Sequence, residues 1–329
     1  MNTILGINTS HNSSICLLTP EKNLFYFEEE RYNREKYYTP GQGSGPSNTF
    51  FKVKEGDSKD FYRCISKHII EAENFPNEVI VTSHDRRNDT FFNPNPFTDE
   101  QINDILKDQL KDYPATWYFF PSEHHLYHAI CGFHFSPFDE AICVVMDGGG
   151  GQEVPMYQEV ESIYLFDKQS YEKKYSHSSN FRFAKHTNGK WPKKHYIQDN
   201  VEYFLSSDPS SGQRFSTLCE ELDFKFAGHD AGKLMGLAAY GKSDRDPEGL
   251  AMKLQLETKE STIGLLEKAF SYSPIKNVVL SGGYALNCVN NYEYVKAFPE
   301  HNFFVDPVPH DGGTAIGATL WLDRYGTQR

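Results

Sequence analysis

Cys143-Val144-Val145-Met146-Asp147-Gly148-Gly149-Gly150-Gly151 is an apolar run that ends in one acid and four glycines. The run reads as a buried strand, and the glycines as the tight turn that stops it. A strand ending this way presents a carboxylate and exposed backbone N–H groups side by side, a common arrangement next to a phosphate. Leu5-Gly6-Ile7-Asn8-Thr9 has the form of an equivalent strand end near the N-terminus. The repeat is architectural, and the chain has no short-period repeat.

The pattern around these two stretches supports that reading. Residues 3–7, 15–18 and 24–27 form a three-stranded meander, followed by helical periodicity over 58–74, a strand at 78–82, a helix at 99–110, a strand at 118–120 and a helix at 123–133. A second meander starts with strands at 141–146 and 162–166. Then come a helix at 229–240, a strand at 277–280, a helix at 284–295, a strand at 303–305 and a last helix at 311–325. Residues 41–47 read as a loop and 86–96 as irregular. Meander then helices, twice over, predicts two related α/β lobes with a cleft between them. The lobes are expected at 1–135 and 136–329, with the last helix packing back across the cleft.

Composition narrows the class. The chain has 329 residues, 38% hydrophobic and 24% charged, which describes a globular domain. No apolar run approaches the ~18 residues needed to span a bilayer, and the N-terminus lacks a secretory pattern, so a cytoplasmic protein is expected. A net charge of −12 argues against broad adhesion to nucleic acid. The six cysteines include no C-x-x-C pair and read as reduced thiols. A local basic stretch, residues 186–195, reads as a solvated loop, with acceptor binding as the alternative.

His124-His125-Leu126-Tyr127-His128 lies on the helix before the second meander. Residues four apart share a helix face, so His124 and His128 can bind one ion through two imidazoles. Zinc proteases of the H-E-x-x-H type share the spacing, but His125 stands where their general base would be. Asp147 and Asp311 lie beside glycines and add carboxylates. Such a mixed set suits iron, zinc or manganese, and ligand type alone does not choose among them. Gly148–Gly151, Ser281-Gly282-Gly283 and Asp311-Gly312-Gly313-Thr314 read as anion-binding turns. There is no Walker motif and no G-x-S-x-G elbow. His11, on the first polar turn, is a candidate general base for an acceptor hydroxyl.

Seven ordered blocks resemble the NodU/CmcH/TobZ O-carbamoyltransferases. They are Ile4-Leu5-Gly6-Ile7 with His11-Asn12-Ser13-Ser14, residues 28–34, residues 124–128, residues 136–141, Gly232-Lys233-Leu234-Met235-Gly236 with residues 237–241, Ser281-Gly282-Gly283-Tyr284-Ala285-Leu286-Asn287, and residues 311–318. The resemblance implies a two-lobed, actin-like (ASKHA, TsaD-like) fold with a central cleft. It implies that His124, His128, Asp147 and Asp311 bind an iron-like divalent metal, Fe(II), with Asp147 and His11 taking part in the chemistry. It also implies that Gly148, Gly149, Lys233, Gly236, Gly282, Gly283 and Asn287 line a nucleotide site. The implied substrates are carbamoyl phosphate, ATP and a hydroxyl acceptor, joined through carbamoyl-adenylate. The family's YrdC-like second domain, which makes that intermediate, does not follow Arg329 in this sequence; either the sequence is part of a longer chain, or a separate YrdC-like partner supplies the intermediate, or this protein manages both steps. Asn12 stands where many relatives have Asp. Three other readings remain open: carbamoylation of a hydroxymethylated pyrimidine in nucleotide or DNA, threonylcarbamoyl transfer to tRNA adenosine, and a nucleotide-binding regulatory subunit without activity. No membrane partner is expected.

Overall fold

The computed structural model describes residues 2–34, 36, 38, 62–82, 99–110, 113–120, 123–151, 154, 156–181, 184–185, 191–224, 230–243 and 245–326. The expected loop at 41–47, the irregular stretch at 86–96 and residues 186–190 lie outside the described residues. Two compact units divide the chain, Met1–Cys131 with His310–Arg329, and Gly132–Pro309. The sequence reading places this division at 135/136 and counts the last helix with the second lobe. The structure places it at 131/132 and groups that helix with the first unit.

The first unit is built on a five-stranded sheet in the order β3-β2-β1-β4-β5. β1 (Ile4–Asn8), β2 (Ser14–Leu18) and β3 (Leu24–Glu28) form the expected antiparallel meander, and β4 (Glu78–Thr82) and β5 (Thr116–Phe119) continue it in parallel. All five residues of β1 are buried, as expected for a strand covered on both faces. Leu5 and Ile7 join Ile65, Ile69 and Leu106 in one core. Gly6 lies on the opposite side of the strand. A Cβ there would stand 2.2 Å from Thr319 Oγ1 and 2.3 Å from the Ala315 carbonyl oxygen, so only glycine lets the last helix, Gly312–Tyr325, rest on β1. That close seating is why this helix belongs to the first unit.

Helix α1 (Glu30–Asn33) follows β3 directly. Glu29 is buried, and its carboxylate accepts the N–H groups of Arg63 (2.9 Å) and Cys64 (3.0 Å) at the start of α2 (Arg63–Ile65). Burial pushes its carboxyl above the usual range. α2 continues as one π-helical stretch, Ser66–Ile70. α3 (Asp99–Gln109) and α4 (His124–Phe135) are the other helices on this side of the division, which falls inside α4.

The second unit repeats the strand pattern. β6 (Glu140–Gly150), β7 (Gln158–Asp167) and β8 (Tyr171–Ser179) form an antiparallel meander. β11 (Asn277–Ser281) and β12 (Asn302–Val305) add to β6 in parallel. β9 (Lys194–Gln198) and β10 (Val201–Ser206) extend the far edge, giving seven strands. The equivalence of β1 and β6 expected from sequence therefore holds: each pairs antiparallel with the next strand and parallel with a later one. Ile142, Val144 and Met146 of β6 face a core closed by α5 (Ser211–Glu221), α6 (Ala231–Leu237), α7 (Pro247–Tyr272) and α8 (Cys288–Ala297). All six cysteines are free thiols, and burial pushes Cys16 up to about 12. Among the described residues, no helix is long and apolar enough to cross a membrane.

Glu202 of β10 gives this unit a pH dependence. Partial burial opposes its ionisation, but Lys268 Nζ (2.6 Å), the Tyr272 hydroxyl and His195 Nε2 (2.7 Å) all bond the carboxylate and lower it to about 2 from an ordinary 4.5. Its folded-state value is depressed, so its stabilisation is present above the unfolded value and is lost as pH falls towards 2. Glu202→Gln is expected to flatten the loss of melting temperature between pH 5 and pH 2. A profile parallel to wild type there would show that the carboxylate has no such part.

Candidate metal centre and phosphate turn

His124 and His128 both point from α4 to the same place. Their Nε2 atoms are 3.1 Å apart, and Asp311 Oδ1 lies 3.8 Å from the first and 3.9 Å from the second. All three side chains are buried. A triangle with these sides has its centre about 2.1 Å from each corner, the distance at which imidazole nitrogen and carboxylate oxygen bind zinc-like ions. Two neutral imidazoles facing each other without an ion would share at most one hydrogen bond. The donor set therefore fits a divalent cation.

The second oxygen of Asp311 is held in turn. Ser10 Oγ donates to Oδ2 at 2.7 Å, and His11 Nε2 lies 3.3 Å from it. Asn8 Oδ1 accepts from the Ser10 backbone N–H at 3.0 Å, which fixes the turn after β1. Asn12 takes a left-handed φ of 58° there, a conformation Asn tolerates. His11 is about one-third exposed, unlike its neighbours in the cluster. Ser10 was not singled out in the sequence, although its place in the polar turn beside His11 was the available signal. His125, also buried, lies off the His124/His128 face.

Close packing sets the spacing of this cluster. A Cβ on Gly317 would stand 1.9 Å from the Tyr127 carbonyl oxygen and 2.5 Å from its carbon. Tyr127 lies between the two histidines on α4, and Gly317 lies on the helix that Asp311 opens. Ser14 Oγ donates to the Gly312 carbonyl, and the Thr82 and Thr314 hydroxyls are 3.0 Å apart, tying the start of that helix to the sheet.

In the second unit, Asp147 ends the apolar part of β6 as expected. Its carboxylate accepts from the N–H groups of Gly283 (3.2 Å) and Gly149 (3.4 Å). The sequence reading makes 148–151 a tight turn. The structure instead carries β6 to Gly150 through a register shift between Met146 and Gly150, with Gly149 at φ +144°. A bulge of this kind re-aims the strand end and exposes its amides. Gly282 takes φ +85°, and a Cβ on it would stand 2.3 Å from the Met146 carbonyl oxygen, so the two glycine turns lie against each other. The helix expected over 284–295 is broken into a 3-10 turn, Gly283–Leu286, and α8. Asn287 makes that break. It is fully buried, its side chain caps α8 by accepting the Asn290 N–H (3.2 Å), and Gln255 bonds it from α7 (2.7 Å). Among the described residues, no neighbouring atom lies within 4 Å of a Cβ placed on Gly148 or Gly236. Lys233 is more than half exposed and pairs with buried Asp230 at 2.9 Å. Of the basic stretch, residues 191–195 are described and exposed; Lys193 pairs with Asp208 and His195 with Glu202.

Residues 251–320, from α7 to the start of the last helix, match the family model described as the carbamoyltransferase N-terminus. Over this stretch the chain is similar to that family. The matched stretch holds Gly282, Gly283, Asn287 and Asp311. An uncharacterized protein of Synechocystis sp. is 25% identical over 97% of this chain and 57% of its own length. Full-length HypF in its phosphate- and nucleotide-bound form superposes over 98% of this chain and 56% of its own, with a TM-score of 0.52 at 14% identity. HypF of T. kodakarensis gives 0.58 at 13% identity over 98% of this chain and 48% of its own. A ROK family protein from Streptococcus pneumoniae, solved with sucrose, gives 0.51 at 11% identity over 99% of both chains. The fold is thus of the actin-like, ASKHA type. The chain spans about half the length of HypF and of the Synechocystis protein.

Proposed function

We propose that the protein is a metal-dependent O-carbamoyltransferase of the cytoplasm. It would move a carbamoyl group from carbamoyl-adenylate, formed from carbamoyl phosphate and ATP, to a hydroxyl on a small molecule, sugar or nucleoside. The observation that carries this reading is the buried triangle of His124, His128 and Asp311 around a point at metal-bonding distance. The actin-like sugar kinases have no use for such a pair of imidazoles.

His124, His128 and Asp311 would hold the ion, Fe(II) by resemblance, with Asp147 as the further ligand that the family pattern assigns. When bound, such an ion supplies Lewis-acid stabilisation of charge on a phosphate oxygen. The remaining work falls to the protein. The N–H groups of Gly148 and Gly282 would take the phosphate charge, Gly149 and Gly283, whose N–H groups bond the Asp147 carboxylate, would line the same site, and Lys233 would add a cation. The open space at Gly236 would admit a ligand, and Asn287 is the last residue of the block that would line the same site. The acceptor oxygen would attack the carbamoyl carbon, the bond from that carbon to the phosphate oxygen would break, and AMP would leave. His11, about one-third exposed, would be the member of the cluster that meets an acceptor. Its imidazole, braced by Asp311, would take the acceptor proton.

Mass spectrometry tests the reading directly. With carbamoyl phosphate, ATP and a panel of hydroxylated acceptors, hydroxymethyl-pyrimidine nucleotides and DNA included, one acceptor is expected to gain the mass of one carbamoyl group. Transfer from pre-formed carbamoyl-adenylate alone would assign the first step to a separate YrdC-like partner. No transfer from either donor to any acceptor would overturn the proposal.

A further inference from the structure

A carboxylate, an imidazole and a hydroxyl stand in line beside the α5 end of the second unit. Glu161 Oε2 lies 2.8 Å from His177 Nδ1, and His177 Nε2 lies 2.9 Å from Ser206 Oγ. The same order of groups occurs in nucleophilic triads. Here the hydroxyl has a different task. Ser206 is fully buried, and its Oγ also accepts the backbone N–H of Asp208 at 3.1 Å. An ionised carboxylate only accepts, so Nδ1 carries the proton and Nε2 accepts the Ser206 O–H. Each polar atom then has one defined role, running from the Asp208 amide through Ser206 and His177 to Glu161.

The segment held in this way leads to Asp147. Ser179 Oγ donates to the Asp208 carbonyl (2.8 Å), fixing the other side of the same peptide group's neighbour. Two residues on, Ser210 caps α5 in a reciprocal capping box with Gln213. The Ser210 hydroxyl donates to the Asp147 carbonyl at 3.0 Å. A Cβ on Gly212 would stand 2.9 Å from that same carbonyl and from the Gly148 nitrogen, so the first turn of α5 lies directly against the glycine turn. Four strands and one helix start are thus joined from Glu161 to Asp147 by hydrogen-bonded side chains and the backbone of residues 208–210.

We infer that Glu161, His177 and Ser206 are positioning residues. They fix Asp208–Gly212, and through Ser210 and Gly212 they set the backbone geometry of Asp147 and Gly148. The inference rests on the reading of that turn as a phosphate site for its functional consequence, but not for its structural one. Two readouts separate them. Amide hydrogen exchange of the ligand-free protein reports the positioning, and the dissociation constant for ATP reports its effect. Ser206→Ala is expected to speed exchange about tenfold at residues 208–213 and at Asp147–Gly149. Ser206→Thr, which keeps the hydroxyl, should restore wild-type exchange, and His177→Phe should match Ser206→Ala. As a control for general loosening, Ile163→Val removes one methyl from the same unit's core and should leave exchange at Asp147–Gly149 unchanged. Where wild type binds ATP, Ser206→Ala should weaken binding about tenfold. Wild-type exchange at Asp147–Gly149 in Ser206→Ala, or equal acceleration there in Ile163→Val, overturns the inference. So does covalent labelling of Ser206 by a fluorophosphonate, which would make it a nucleophile. Failure of wild type to bind ATP would sink the phosphate-site reading, while the exchange data would still decide the positioning role.

Discussion

His124→Ala is expected to remove bound metal and carbamoyl transfer together. The triangle of Nε2, Nε2 and Oδ1 loses one corner, and the two that remain lie 3.9 Å apart on a single edge. Two ligands hold a divalent ion far less well than three or four. Partners one shell further out are already worth about 10–100-fold in affinity, so loss of a direct ligand should exceed that range. His124 is also buried, and alanine leaves a polar hollow beside His128 and Asp311. A modest fall in stability is therefore expected as well. Metal content by plasma mass spectrometry and transfer rate should be measured on the same preparation. A variant that is free of metal and fully active would end the metal-dependent reading.

Gly317→Ala should have the largest effect on stability of any single methyl added to this chain's last helix. The new carbon would overlap the Tyr127 carbonyl at 1.9 Å, and backbone cannot rotate away as a side chain can. Overpacking of this kind costs about 3 kcal/mol, or roughly 4 °C in melting temperature for a chain of 329 residues. Gly264→Ala is the matching control. Gly264 lies inside α7 with nothing within 4 Å of its Cβ, and alanine there should stabilise by up to about 1 kcal/mol. The same chemical change is thus expected to act with opposite sign at two helix glycines. Because Tyr127 lies between His124 and His128, a forced shift at Gly317 should also weaken metal binding. If Gly317→Ala melts with wild type, the close approach of the two helices is not required.

Much of the fold was legible wherever residue types repeat with the period of their element. The first meander, the helices at 99–110 and 123–133 and the last helix fall within a few residues of their structural bounds. The equivalence of Leu5–Thr9 with Val145–Gly149 came from the strand ends alone. The elements between Tyr171 and Tyr272 were harder. β8 and β9 carry Lys, Glu, His and Ser in alternation with few apolar residues, and β9 is an exposed edge. The 26 residues of α7 have apolar positions spread around the helix, so no single stripe marks it. Even so, Asp246-Pro247 at its start is a legible helix opening, with Asp246 as cap and Pro at the first turn. Ser210-Ser211-Gly212-Gln213 is likewise a visible capping box, and it would have placed a helix start there rather than a loop between helices.

The candidate ligands His124, His128, Asp147 and Asp311 were all visible, because histidines at four-residue spacing and acids beside glycines are rare enough to notice. What brings Asp311 to the histidines was not visible. Ser10, Gly317 and Ser14 act through contacts between segments about 190 to 310 residues apart, and no local pattern encodes such contacts. Asn287 was read as a ligand-facing residue because its block invites that reading. Its amide is instead committed inside the fold.

The first unit is written in two separated pieces of sequence, and this bears on the order in which a ribosome can finish it. His124 and His128 are made before residues 132–309, and Asp311 only after them. At about 5–20 residues per second, roughly ten seconds or more pass between the two events. During that time the face of β1 around Gly6 lacks the helix that covers it. The nascent chain holds two imidazoles with no carboxylate between them and can offer a metal only a weak, incomplete grip. On the proposed reading, loading of an ion would therefore be a late event in biogenesis, coupled to the arrival of the last helix. A chain released before residue 311 would carry the histidines but not the site.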